Sequence, residues 1–448
     1  ADDFIFWSSP VENFNLTGIT SPQTASAFAY DVNAPNMDGT AGSFVAASGI
    51  MASGKGYSVG VPNAFVASGF TAKFQGTPRN GAITIDALKA TSATLPSEEG
   101  RHWNLLGNPY PSAINVDEFL ATNEFLEGSV RLWSHGNPDS NPNPFYAGVT
   151  YNYGDQYVTY NRTGATPDLF KGNIASGQAF FVQVSETAAT TSSVAFNNTM
   201  RFDDAENAYD NLEFLGTSQP APLDDNNKQL IWLSLINQSG NASVALVGYV
   251  PNATNQKDRL YDAFNDGGEL SLYSTIDNAK FAIQGRALPF ADTDLVPLGV
   301  DLPSAGLYSI GIDHLKGAIF DAQQQGIYLE DTFLDIVHDL RASAYSFTGV
   351  TGTASDRFIL RYVPGALSID ENSLSDTFVY VKDRQLYVSS SNKIESVAIY
   401  DLTGKQIIVY NPNDNNLRFT APFNFSRGVY VSVIQLDNGA TVNKKLMN

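Results

Sequence analysis

The side chains best able to do chemistry in this 448-residue chain are few and scattered. GYSVG (56–60) matches the G-x-S-x-G pattern, in which a serine nucleophile sits on a sharp strand-to-helix turn. VPNAFVASGF follows, with Pro62 and no helical periodicity, so Ser58 is expected inside a strand and not on an elbow. The four histidines, His102, His135, His314 and His338, form no HExxH motif and no pair at metal-ligand spacing. His102 and His338 fall in expected strands; His135 lies in a long loop, where functional side chains concentrate. Glu330, Asp331 and Asp335 in EDTFLD (330–335) could set two carboxylates on one face, as glycoside hydrolysis requires, but a solvated turn is the simpler expectation. Calcium takes six to eight oxygens, and the acidic turns at 31–40, 137–144, 224–227 and 264–269 could supply some of them, but none matches an EF-hand loop, so solvated turns and no cofactor are the expectation. Trp133, Phe145, Tyr146, Tyr151 and Tyr153 surround the long loop 134–158. They could form a platform for surface glycans, or pin the loop to the body; the second is preferred, because aromatic rings chiefly supply buried area. These residues compose no catalytic constellation, and the chain reads as non-enzymatic.

Period-2 alternation runs through the whole chain and sustained helical periodicity is nearly absent, which predicts an all-β fold of tandem β-sandwich domains. The two helical candidates are NVDEFLATN (115–123), with Asn115 as N-cap, and DRLYDAFN (258–265). Residues 1–216 contain an internal echo, about 1–100 against 101–216: ASGKGYSV (52–59) is answered by ASGQAFFV (175–182), and each copy opens with a tryptophan strand running into proline. Phe74 follows Gly54 by 20 positions, and Phe196 follows Gly177 by 19. Residues 217–365 supply further alternating strands, such as QLIWLSLIN and ASVALVGYV around a Gly-Asn turn, and suggest a second sandwich. Residues 366–448 compress seven candidate strands into a small terminal sandwich, with hairpin turns at LTGK (402–405) and DNGA (437–440).

Charged residues are only 16% of the chain, and there is no cysteine, which excludes disulfides. The net charge of −20 argues against nucleic acid as a partner. That charge is unevenly placed. Eight basic and eight acidic residues lie from Ala366 onward, so 18 basic against 38 acidic residues in 1–365 carry all of it. The break predicts a domain boundary near 365. The opening ADDFIFWSSPV has neither a basic nor a hydrophobic leader segment and reads as a strand already under way, as expected of a processed product or the tail of a longer chain.

The last region resembles the type A C-terminal sorting domain of the type IX (Por) secretion system of Bacteroidetes. VAIYDLTGKQI (397–407), FSRGVYVSVI (425–434) and the closing VNKKL (442–446) carry the likeness, in that order and spacing. The resemblance implies a seven-stranded Ig-like β-sandwich. It implies recognition by an outer-membrane translocon and its shuttle protein, and cleavage by a sortase-like peptidase. Gly404, Lys405, Gly428, Tyr430, Lys444 and Lys445 would belong to the recognition module. The upstream chain is similar to repeat-rich, adhesin-like surface proteins of gliding Flavobacterium-type bacteria, through FWSSPV, WNLLGNPYPSAI, IASGQAFFV, FNNTMR, YLEDTFLDIVHDL and DRFILRY. That likeness implies a secreted or surface-displayed protein that has passed the periplasm and outer membrane.

Overall fold

The computed structural model describes residues 4–20, 26–35, 41–60, 73–91, 102–134, 141–153, 157–203, 207–209, 211, 227–321, 325–364, 377–382, 384–390, 392–401, 405–412, 417–426, 428–437 and 441–447. The chain is all-β with minor helical decoration and divides into two compact units, Ala1–Val363 and Pro364–Asn448.

The echo in the first unit is a structural duplication. One sheet runs Phe4–Trp7, Tyr57–Gly60, Ala27–Pro35, Ala41–Ala46; the other runs Trp103–Gly107, Ala179–Val184, Leu126–Trp133, Tyr157–Tyr160, with Ala165–Thr166 at its edge. Strand for strand the order is the same. Each tryptophan strand leads to an asparagine that caps a short helix, since its side-chain oxygen can satisfy an otherwise orphaned amide. Asn15 Oδ1 accepts from the Thr17 amide at 3.0 Å, and Asn115 Oδ1 accepts from that of Glu118 at 3.1 Å. The copies are locked reciprocally. The Ser8 amide donates to Gly177 O at 2.7 Å, and the equivalent Gly107 amide donates to Gly54 O at 2.9 Å. Gly54 and Gly177 sit at φ +72° and +73°, where a side chain would be strained. Each also faces the other copy's phenylalanine: Gly54 lies against Phe196, and Gly177 against Phe74.

Alternation then decides the faces. On the second sheet Leu126, Val130, Leu132, Phe180 and Val182 join Phe119 and Leu120 of the helix Val116–Thr122 in one core. The opposite faces of the two sheets meet in an aromatic layer, where Phe6 touches Phe181 and stacks on Trp133. The pair Tyr30–Phe44 (5.3 Å, 79°) in one copy is matched by Trp133–Tyr157 (5.1 Å, 72°) in the other.

The same unit continues into a sheet whose main path runs Ile336–Asp339, Tyr328–Asp331, Gly352–Arg361, Leu295–Leu302, Ser271–Ile276, Ala279–Arg286, Asn241–Tyr249, Gln229–Asn237, Gly306–Lys316, Tyr345–Gly349. Phe347, from one end of that path, packs on Phe358, from near the other, at 4.9 Å. The sheet is therefore folded over a single core that includes Ile231, Leu235, Val296, Leu298, Ile310 and Leu360. The other face of Gln229–Asn237 presents Leu230 and Trp232 to a smaller cluster with Leu246 and Ile283.

The helix expected over 115–123 forms as Val116–Thr122, but the one expected over 258–265 does not. A single turn closes at Asp258, whose carbonyl accepts from the amides of Tyr261 and Asp262, and Ala263–Phe264 then pairs with Ala279–Arg286. Burial of Ala263 against that strand overrides the local helical pattern.

Among the described residues the second unit is a sandwich of seven strands. Phe378–Lys382, Gln385–Ser389 and Arg418–Pro422 form one sheet; Gln406–Tyr410, Ile394–Asp401, Val429–Leu436 and Thr441–Met447 form the other. In Val429–Leu436 the buried residues are Tyr430, Ser432, Ile434 and Leu436, the alternation of a strand with one face on the core. The hairpin turns expected at 402–405 and 437–440 lie largely outside the described residues.

The duplication predicts where the first unit is least tolerant. A β-carbon at Gly107 would collide with Ser8 Cβ. Gly107→Val should cost about 1–3 kcal/mol by overpacking, read as a lower urea midpoint for the first unit. An unchanged midpoint would show that the two copies are not in close contact there.

Candidate functional site

The sequence motifs come apart when placed in the fold. Ser58 is buried in the middle of Tyr57–Gly60, in register with Phe6 and Phe28 and without a histidine beside it among the described contacts. His102 pairs with Glu186 at 2.8 Å and accepts from the Ala90 amide. His338 contacts Ser343 O at 2.8 Å on a hairpin. His135 lies outside the described residues. Asp331 is fully buried, bound by Arg357 and by the Tyr345 hydroxyl at 2.9 Å, while Glu330 pairs with Arg361. A buried carboxylate left unpaired would cost several kcal/mol; these two are neutralised by arginines, and Asp335 sits at φ +57° in the turn beyond them.

The aromatic residues of the long loop also serve the fold. Tyr151 is buried, Phe145 packs against the folded-over sheet, and the Tyr146 hydroxyl accepts from the Ile312 amide at 3.1 Å. Burial pushes the pKa of that hydroxyl up to about 12, against the pull of the amide. Of Tyr153 only the backbone is described. Among the calcium candidates, the turn at 264–269 is described throughout. Asn265 Oδ1 accepts from the Gly267 amide and the Ser271 hydroxyl, and Asp266 pairs with Arg131, so these oxygens already have partners. The turns at 31–40, 137–144 and 224–227 lie partly outside the described residues. Among the described residues no three His, Asp or Glu side chains are grouped to hold a metal.

Two constellations carry no motif. The first joins the two regions of the larger unit: His314 stacks on Trp232 (3.9 Å, 15°), its Nδ1 lies 2.6 Å from Asp313 Oδ2, and its Nε2 lies 3.5 Å from Asp168 Oδ2. Burial alone would lower the imidazole's pKa; the two carboxylates outweigh it and raise it above the ordinary histidine value. The second is Arg131, which lies over the Trp103 ring at 4.6 Å and pairs with Asp266. The one signal of it in the sequence is a charged residue on a strand, LEGSVRLW, whose neighbours are apolar.

The terminal module distributes the sorting-signal candidates over distinct environments. Lys405 is exposed, with its amide donating to Asp401 Oδ1 at 3.0 Å. Gly428 is exposed, outside the left-handed region, and a β-carbon there would meet nothing closer than 3.9 Å. The fold therefore gives no steric reason for glycine at 428. Tyr430 is buried against Phe423, and its hydroxyl donates to Ser426 O at 2.8 Å. Lys444 and Lys445 lie on the edge strand Thr441–Met447, in register with Ser432 and Val431. Gly404 falls outside the described residues.

These features define a multidomain β-sandwich protein built on an internal duplication and followed by a small sandwich. The chain belongs to the family described as Domain of unknown function (DUF8693), which matches residues 1–362; residues 367–448 match Domain of unknown function (DUF8694). The chain is similar to Minor fimbrium subunit Mfa5 of Porphyromonas gingivalis, 23% identical over 378 residues, which cover 77% of this chain and 27% of that protein. It thus spans about a quarter of that relative's length. A solved structure described as Biofilm associated protein - BSP domain covers 77% of this chain and 63% of its own at 11% identity, with a TM-score of 0.14, too low to carry an argument.

The His314 cluster gives a pH dependence with a definite sign. Because the folded state raises the imidazole's pKa, its stabilisation is complete below the unfolded value near 6.5 and is lost as pH rises through the folded value. Urea midpoints should fall over that interval, and His314→Gln should remove the slope. A slope that persists in the variant would place its origin elsewhere.

Proposed function

We propose that this chain is the C-terminal part of a secreted or surface-displayed, adhesin-like protein, exported by a type IX secretion system that recognises residues 366–448. In this reading the translocon and its shuttle protein bind the terminal module, and a sortase-like peptidase acts on the exported chain. Residues 1–365 form the adhesive or stalk part, with no catalytic role. The observation that carries the proposal is the terminal module itself, a compact seven-stranded sandwich with its own core and no net charge, beside a remainder that holds the entire −20. The similarity to a minor fimbrium subunit supports a surface location. Gly428 and the exposed Lys405 are the residues the proposal assigns to recognition most directly, since packing does not account for them.

Deleting 366–448 should leave the chain in the periplasm of a type IX-competent host. Gly428→Ala should fold normally and reduce export several-fold, scored by protease accessibility on intact cells. Undiminished surface display of the deletion would overturn the proposal.

A further inference from the structure

The duplication supplies an internal control for one position. Register across the two sheets makes Arg131 and Thr159 the counterparts of Phe28 and Ala46. The neighbouring pairs Trp133–Tyr157 and Tyr30–Phe44 are alike, so the fold accepts an apolar pair at this place, and the second copy has a guanidinium and a hydroxyl instead. Those two groups line an open cavity of about 120 Å³, together with Ser243, Asn265, Asp266 and Ser271.

We propose that this cavity binds one neutral sugar ring. The assignment rests on the adhesive reading above for the source of the ligand, a terminal residue of a surface glycan, and on the cavity alone for its chemistry. Its size is well below the roughly 300 Å³ at which drug-sized sites begin, which limits the occupant to a single small ring. Its charges cancel, because Arg131 is paired with Asp266. A carboxylate or phosphate ligand would therefore find no net cation, on a chain of net charge −20. Sugar hydroxyls each donate and accept, and the walls offer both functions: hydroxyls on Thr159 and Ser243, and, as further acceptors, the hydroxyl oxygens of Thr166 and Ser271 and the second lone pairs of the Asp266 carboxylate. The walls are held in place beforehand. Thr166 Oγ1 donates to Val244 O, Ser271 Oγ donates to Asn265 Oδ1, and Ser243 Oγ accepts from the Leu272 amide.

Saturation-transfer NMR on the full chain tests this with methyl glycosides of glucose, galactose and mannose, N-acetylglucosamine, and glucuronate as the anionic comparison. At least one neutral ring should bind, with glucuronate weaker. Thr159→Ala, which installs the first copy's residue type, should weaken binding about tenfold or more at unchanged melting temperature, and Asp266→Asn should weaken it as much while also lowering the melting temperature, because it leaves Arg131 unpaired. No binding by any neutral sugar, binding unaffected by both variants, or preference for glucuronate would each overturn the proposal. None of these outcomes bears on export, which the deletion of 366–448 reads separately.

Discussion

The larger unit depends on one constraint: two copies of a four-stranded sheet must bring their aromatic faces together while each supplies a backbone carbonyl to the other. The paired bonds from Ser8 to Gly177 and from Gly107 to Gly54 are possible only where the chains approach without side chains between them. Glycine at Gly107 is thus dictated by the interface between copies, while at Gly54 and Gly177 the positive φ of the turn requires it. Once this contact is made, the outward faces are committed to separate cores, and the helix Val116–Thr122 has a surface to cover.

Buried charge follows the same logic. Asp331 with Arg357, Arg286 with Asp294, and His314 between Asp313 and Asp168 are each matched inside or at the margin of the fold. A buried charge costs several kcal/mol unless paired, so such groups join elements in one register. His314 joins Gly306–Lys316 to the segment around Asp168, which belongs to the duplicated region. This explains how residues far apart in sequence form one compact unit.

Much of this architecture was legible from alternation, because strands with one buried face write their geometry into every second residue. The helix at Val116–Thr122 was legible from Asn115, and the duplication from two ASG turns. The reciprocal packing was not: a phenylalanine 19 or 20 positions after a glycine reads as an internal feature of each copy, and only the fold shows that Phe196 lies against Gly54. The segment 258–265 misled because local periodicity says nothing of a strand arriving from Ala279–Arg286. The Arg131 cavity was hidden for the same reason, since its walls come from separate stretches of chain. Tyr430 carried a likeness to a sorting signal and is a core residue of its module, a distinction that sequence likeness alone does not draw.

The central claim is that the terminal module is an address separable from the part it delivers. Fusing 366–448 to a fluorescent cargo bearing a signal peptide, in a type IX-competent host, tests it most directly. The account predicts fluorescence at the cell surface or in the medium, abolished when the translocon is disabled. Cargo retained in the periplasm, although the fused module is folded, would contradict it.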